Sequence, residues 1–582
     1  MKGPTLRRAA AWVAAPFVAL GCAPANTPAP GPVPAPAAAP AGANSGPARS
    51  SGLLPPDHRF NVRDFGATGD GRTIDSDAIN SAISSAAASG GGTVIVPAGT
   101  YASYSIRLRS HVELRLEAGA VLLAADTAHG RGYDPAEPGA GNAYQDFGHS
   151  HWHNSLIWGE DVEDVAITGT GRIDGKGLSR GLGPRAADRD TRPGEANKAI
   201  ALKNARHVLL RDFTIFRGGH MAILATGVND LTIDHLTIDT NRDGIDVDAC
   251  RIVRISNTAV NAPNDDAIVL KSSYALGAPR ATEDVTITNS VVSGFDVGTV
   301  LDGTYGRTSV AAPDRDGPTG RIKLGTESNG AFRNITISNV VFVRSRGLAL
   351  ETVDGATLED VTISNVTMRE VSNAPIFLRL ASRMRGPAGT PVGALRRVSI
   401  SHVVVSDADP RYPSIIAGIP GHPVEDVRLS DIRILSRGGL SLEVAAEQPA
   451  NLVNGFFRPP GGTGAREPYA VPEREKMYPE PSQFGVLPAY GFYVRHAAGI
   501  TLDDVTLSVA APDTRPAMVL DDARDVTLRG VRAELAPNVP ALVLRDVERV
   551  RVTDSPPLRD RTVTRAARDS ILASTASALE FR

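Results

Sequence analysis

Three short stretches of this chain carry side chains that could do acid–base chemistry together. They are Asn241-Arg242-Asp243-Gly244-Ile245-Asp246, Asn264-Asp265-Asp266-Ala267-Ile268 and Gly320-Arg321-Ile322-Lys323. Asp243 and Asp265 are 22 positions apart. If that interval is one turn of a repeating fold, the two carboxylates stand one above the other on the same face. Carboxylates forced together cannot all ionise easily, so one keeps its proton while the others stay bases. Cleavage of a glycosidic bond needs that division of labour. Neighbouring residues on a regular strand point to opposite faces, so Asp265 and Asp266 share a cleft only where the backbone bends. The sequence therefore predicts a turn or kink at that pair. A lone Asp in a turn is ordinarily structural or solvated, so the argument rests on the three aspartates together.

The elements that must position them are repeats. Short β-runs broken by Asn, Asp or Ser recur as Leu231-Thr232-Ile233-Asp234, Val285-Thr286-Ile287-Thr288-Asn289, Ile335-Thr336-Ile337-Ser338-Asn339, Val361-Thr362-Ile363-Ser364-Asn365 and Val427-Arg428-Leu429-Ser430-Asp431. Further copies begin near Val398, Ile500, Val526 and Val550. Neighbouring copies often lie about 22 to 32 residues apart, a solenoid period. Each copy reads as one coil whose inward Val, Ile and Leu stack on those of the next, giving an all-β, right-handed parallel β-helix over residues 55–555. The leucine spacing of a leucine-rich repeat is absent, and a propeller needs a longer period. Before the repeats, apolar residues at 78, 79, 82, 83 and 86 follow helical spacing, with Asp75 or Ser76 as N-cap candidates and Gly90 beyond the end. This short helix is expected to cap the N-terminal end of the stack. Residues 556–582 form a C-terminal cap or tail. Residues 441–495 interrupt the rhythm with Pro, Gly and aromatics and read as a long insertion able to wall off one end of a groove.

The formal net charge is −3, from 61 basic and 64 acidic residues with no long basic run, which sets nucleic acid aside. Residues 1–22 place Lys2, Arg7 and Arg8 before an apolar run too short to span a bilayer, the layout of a secretory signal. The run ends Ala19-Leu20-Gly21-Cys22, which resembles a bacterial lipoprotein signal with Cys22 as the acylated residue. Residues 23–54 are almost wholly Ala, Pro, Gly, Ser and Asn and read as an extended tether. The expected location is outside the cytoplasm: periplasmic, anchored to the outer membrane through Cys22, or secreted. Cys250 is the single cysteine of the folded part and is expected to be a buried, unpaired core residue. His149, His151 and His153, with Trp152 among them, lack the thiol or well-spaced carboxylate that would complete a metal site, so no metal is expected.

In this order the three stretches resemble glycoside hydrolase family 28, the polygalacturonases, whose motifs run Asn-Thr-Asp, Asp-Asp, Gly-His-Gly and Arg-Ile-Lys. The opening Asp64-Phe65-Gly66-Ala67 with Gly69-Asp70-Gly71 is similar to the start of pectin-active β-helix proteins generally. The resemblance covers about residues 60 to 550. It implies an inverting hydrolase of α-galacturonosyl linkages in pectin, without cofactor, acting as a monomer on polygalacturonan or rhamnogalacturonan fragments, with an exo mode open to it. Carried over, it makes Asp265 the general acid and Asp243 with Asp266 the activators of water. It gives Arg321 and Lys323 a galacturonate carboxylate to hold, with Lys271 as a further substrate-binding candidate. The chain departs from the family where Gly-His-Gly would fall: Ser293-Gly294-Phe295-Asp296-Val297-Gly298 has no histidine, and Asp296 is the candidate to fill the vacancy. Arg242 stands where the family has threonine. Both departures point toward a specialised substrate. The rival readings are a Ca²⁺-dependent pectate lyase, which would use the aspartates as a metal site, and a non-catalytic polysaccharide-binding β-helix.

Overall fold

A computed structural model of the chain describes residues 58–567 and 570–572, apart from 128–131, 139–143, 146, 180–192, 309–311, 313–315 and 455–463. The leader and tether expected over residues 1–54 lie outside the described residues. From Arg59 to Thr553 the chain winds into successive coils whose strands pair in parallel with those of the coils before and after, a right-handed parallel β-helix. The reason is legible in one interior column. Val94, Leu114 and Ile167 begin it, Ile233, Ile287, Ile337, Ile363 and Leu429 continue it, and Val552 ends it, each in register with the residue below. All are buried. No single coil could keep such a residue dry, so burial is shared between neighbours. Ile337→Ala should lower stability by about 2–5 kcal/mol, because a rigid stack cannot collapse around the cavity; a denaturant midpoint indistinguishable from wild type would contradict this packing.

The Asn and Asp that punctuate the repeats have a backbone reason. Asn289, Asn339, Asn365 and Asp431 all take left-handed backbone conformations, with φ of 52°, 56°, 56° and 52°. Short polar side chains tolerate that region best after glycine. The asparagines also stack: Asn339 donates to Asn289 and Asn365 to Asn339, both at 3.1 Å.

Both ends of the stack are covered. The helix Ser76–Ala88 buries Ile79, Ala82, Ile83 and Ala86 against the first coils. Asp75 is its N-cap residue but makes no capping bond; its carboxylate instead accepts from the backbone N–H of Thr68 and Gly69, at 2.8 and 3.1 Å. At the other end Arg561–Ala566 and Ser570–Leu572 run antiparallel to strands of the last coil. This reversal occupies a sheet edge that would otherwise template pairing with another chain. Cys250 is buried and unpaired. Among the described residues no helix is long and apolar enough to cross a membrane.

One sheet of the β-helix positions the chemistry. Its strands include Met221–Thr226, Asp243–Asp248, Ile268–Ser272, Ile322–Ser328, Leu348–Thr352 and Ile376–Leu380, each paired in parallel with the next. Ile245, Ile268 and Ile322 point into the core. The alternating residues form an outward row: Leu224, Asp246, Val269, Lys323, Ala349, Phe377, Ile415 and Tyr493. That row is charged in its middle and apolar from Ala349 onward.

Candidate active site

The predicted bend is present. Residues 263–265 form a turn between the strands Ala259–Asn261 and Ile268–Ser272, which lets Asp265 and Asp266 diverge from strand geometry. The bend also shifts the register expected from the 22-residue interval. Ile245 pairs with Ile268, and Asp266 N–H lies 3.3 Å from Asp243 Oδ1. Asp266, rather than Asp265, therefore sits over Asp243. Asp265 still joins the group: acceptor atoms of His220, Asp243 and Asp265 all lie within 4.8 Å of one another.

The three aspartates have different surroundings. Asp266 is buried between two cations, accepting from Arg321 Nε at 2.6 Å and Lys323 Nζ at 2.7 Å. Burial opposes its charge, but Arg321 and Lys323 outweigh burial and hold the carboxyl well below the usual carboxylate range. Asp243 is buried without such a partner. Burial first, then repulsion from Asp246 and Asp265, pushes its carboxyl well above the usual range. Asp265 is the accessible one, with 23% of its side chain exposed, and is ion-paired with Arg242. A carboxylate braced by two cations, a carboxyl disposed to keep its proton and a partly exposed carboxyl group thus meet at one point.

Under them lies a second layer of charge. Lys271 Nζ is 3.3 Å from both Asp246 and Glu327. Burial would strip its proton, but Glu327 and Asp246 outweigh burial and keep it an ammonium. Lys271, the further substrate-binding candidate of the sequence, is therefore drawn toward Asp246 and Glu327. Asp246, pushed by burial against the pull of Lys271, rises to about 7, and Asp248 rises to about 6 for the same first reason. Glu351 rises to about 7.

These shifts carry a stability prediction. A carboxyl whose folded pKa is raised binds more protons folded than unfolded, so folding is favoured at low pH and stability falls as pH climbs through the window. For Asp246, Asp248 and Glu351 that window runs from about 4 to about 7, and Asp243, raised in the same direction, adds to it with the same sign. Buried His149 is shifted well below 6.5 and opposes them with the contrary sign. Four carboxyls outweigh one imidazole, so the denaturant midpoint should be higher at pH 5 than at pH 8. Equal midpoints would refute these assignments.

The substrate-contact candidates Arg321, Lys323 and Asp296 all have partners within the chain. Arg321 and Lys323 are buried, and besides Asp266 they meet the insertion: Glu480 lies 2.9 Å from Arg321 Nη2, and Tyr478 Oη is 3.2 Å from Lys323 Nζ. Glu480 also takes bonds from Arg346 Nη1 at 3.0 Å and Asn373 Nδ2 at 3.1 Å. Asp296 belongs to its own loop, accepting from the N–H and Oγ1 of Thr308 at 2.9 and 2.6 Å. The imidazole against Asp243 and Asp265 is that of His220, one coil earlier.

The three histidines near residue 150 separate. His153 stacks on Trp158 at 3.9 Å and pairs with Glu160 at 2.8 Å. His149 is buried with its ring 6.0 Å from that of His220, and donor atoms of His149, Asp243 and Asp246 lie within 4.8 Å of each other. That triplet has the donor types for a divalent ion, but Lys271 already supplies a cation at Asp246.

The insertion also packs on this sheet. Val471, Phe484, Leu487 and Ala489 pack on the apolar part of the outward row, against Ala349, Phe377, Ile415 and Tyr493. Arg379 ties it down by donating to the carbonyls of Gly418 and Glu473, both at 2.8 Å. On the opposite side buried Trp152 covers Ala201, Met221 and Leu224.

Residues 139–310 match the family description "Glycosyl hydrolases family 28", and residues 59–133 match "Rhamnogalacturonase A/epimerase, pectate lyase-like". Over residues 139–310 the chain is thus similar to the family 28 glycosidases. Over 410 residues, 65% of this chain and 74% of the relative, it is 25% identical to a probable polygalacturonase of Vitis vinifera. Among solved structures, the hyperthermoactive exopolygalacturonase of Thermotoga maritima shares its fold with a TM-score of 0.52 and 21% identity, over 66% of this chain and 88% of that one. The family 28 exopolygalacturonase of Yersinia enterocolitica aligns with a TM-score of 0.55 and 18% identity, over 82% and 79%.

Proposed function

We propose that the protein hydrolyses α-galacturonosyl linkages of pectic fragments from chain ends, with inversion. The observation that carries this reading is the meeting of Asp243, Asp265 and Asp266 in three different environments, on a sheet whose apolar part the insertion covers. Asp265, the accessible carboxyl, protonates the leaving oxygen, receiving its proton within the close Asp243–Asp265 pair. Asp266, kept ionised by Arg321 and Lys323, draws the proton from water on the other side of the bond. The wall over Ala349, Phe377 and Ile415 supports removal of terminal units over internal cleavage.

Incubation with oligogalacturonides and rhamnogalacturonan oligosaccharides in the presence of chelator tests the proposal. Saturated products of one sugar unit, released without metal, are expected. Unsaturated products restored only by Ca²⁺ would make the aspartates a metal site and the enzyme a lyase. Export, with acylation at Cys22, is part of the same proposal and is supported by the sequence of residues 1–54; mass spectrometry of the mature N-terminus checks it.

A further inference from the structure

We propose that His149, Asp243 and Asp246 form a site for a first-row divalent cation of the Zn²⁺ kind, and that an ion held there stops hydrolysis. The inhibitory half rests on the hydrolase reading above; the binding half does not. Donor atoms of the three residues all lie within 4.8 Å of one another, and all three residues are buried. An ion about 2.0–2.2 Å from each nitrogen and oxygen fits among atoms so spaced after small turns of the side chains.

His149 is what points to a cation. Its ring is only 5% exposed, and neither Nδ1 nor Nε2 has a hydrogen-bond partner. A neutral imidazole always carries one N–H and one lone pair, and native proteins rarely bury such groups unserved. Asp246 shares the condition: neither of its carboxylate oxygens is hydrogen-bonded. Lys271 does not close the site, because its ammonium is divided between Asp246 Oδ1 and Glu327 Oε2, both at 3.3 Å. Arg383, 3.9 Å from Glu327, is committed to Asp354. Asp243 has no cation of its own, so the acids of this layer outnumber the charges that serve them. One imidazole with two carboxylates suits Zn²⁺, Co²⁺ or Ni²⁺, whereas Ca²⁺ takes about six to eight oxygens, more than this dry trio offers. An ion on Asp243 makes its carboxylate a ligand, and a ligating carboxylate has no proton to pass to Asp265.

The test strips the full chain of metal with chelator, removes the chelator and titrates with Zn²⁺ by calorimetry. Wild type should bind, and His149→Gln should weaken that binding by more than about a hundredfold, beyond what a partner outside the coordination sphere contributes. His220→Gln should keep the ion, since His220 belongs to the neighbouring trio with Asp243 and Asp265. X-ray absorption at the zinc edge of loaded wild type should show one imidazole among oxygens, a readout that stands even where a variant fails to fold. Under chelator His149→Gln should hydrolyse pectic oligosaccharides like wild type, and Zn²⁺ should inhibit wild type at concentrations that leave the variant untouched. Wild type that binds no Zn²⁺, an ion that folded His149→Gln retains, an ion that only His220→Gln loses, or a zinc shell with no imidazole or with two overturns the inference. An ion lost in His149→Gln that leaves wild-type hydrolysis unchanged overturns the inhibitory half. Wild type that binds the ion as expected but hydrolyses neither homogalacturonan nor rhamnogalacturonan oligosaccharides under chelator removes the hydrolase reading and leaves the metal site standing.

Discussion

Asp265→Asn is expected to lower kcat by roughly 10²–10⁴-fold, the range that a positioned general acid contributes. Amide and carboxyl have nearly the same shape, so the pocket should still admit substrate and KM should change little. Stability should hold as well: the Arg242–Asp265 pair is partly exposed, and such pairs are worth about 0–1 kcal/mol. The result to look for is therefore a folded, substrate-binding protein without turnover. Unchanged product formation would remove Asp265 from the acid role and shift attention to Asp243, whose carboxyl is pushed well above the usual range, burial being the first cause.

Arg321→Met should have the opposite profile, with stability and activity lost together. Arg321 is buried between Asp266 and Glu480, and removing one member of a buried charge cluster typically costs about 3–5 kcal/mol because its partners stay behind unpaired. Adding Glu480→Gln to the same chain should recover part of that loss, since one of the stranded anions is then gone; a double-mutant cycle measures the coupling. In any residual activity the sign of the pH effect is fixed. Arg321 helps hold Asp266 below the usual carboxylate range, so without it the carboxyl rises and the base is protonated sooner as pH falls. The acidic limb of the rate profile should move to higher pH. A denaturant midpoint close to wild type, or an acidic limb that stays in place, would mean that Arg321 does not support Asp266.

Much of this architecture is written locally. The Val-Thr-Ile runs ending in Asn or Asp announce both halves of a coil, the column at Ile287, Ile337 and Ile363 and the left-handed residue that follows it. The bend at Asp265–Asp266 is legible because strand geometry forbids two adjacent side chains on one face. His220 could have been found by the same arithmetic, since it precedes Asp243 by 23 positions, close to one coil. The one-residue shift that sets Asp266 over Asp243 was not legible, because an interval of 22 or 23 serves a coil equally well. Glu480 and Tyr478 were out of reach for a different reason. They act across 159 and 155 positions, from a segment without periodicity, and no local pattern marks the residues they meet. With them hidden, Arg321 and Lys323 looked like open cations.

The brace made by Glu480 also bears on how the stack comes apart. In a solenoid each coil feels mainly its neighbours, so an end can fray while the middle stays intact. Here the segment carrying Glu480 rests on Tyr493 and Val519, in coils well beyond the site, and reaches back to Arg321 and Arg346. Fraying that loosens those later coils withdraws the anion and strands two buried guanidinium groups beside the reacting carboxylates. The catalytic coils are thereby tied to the integrity of the C-terminal third, and thermal loss of activity should track the melting of that third and not the melting of the coils that carry the aspartates.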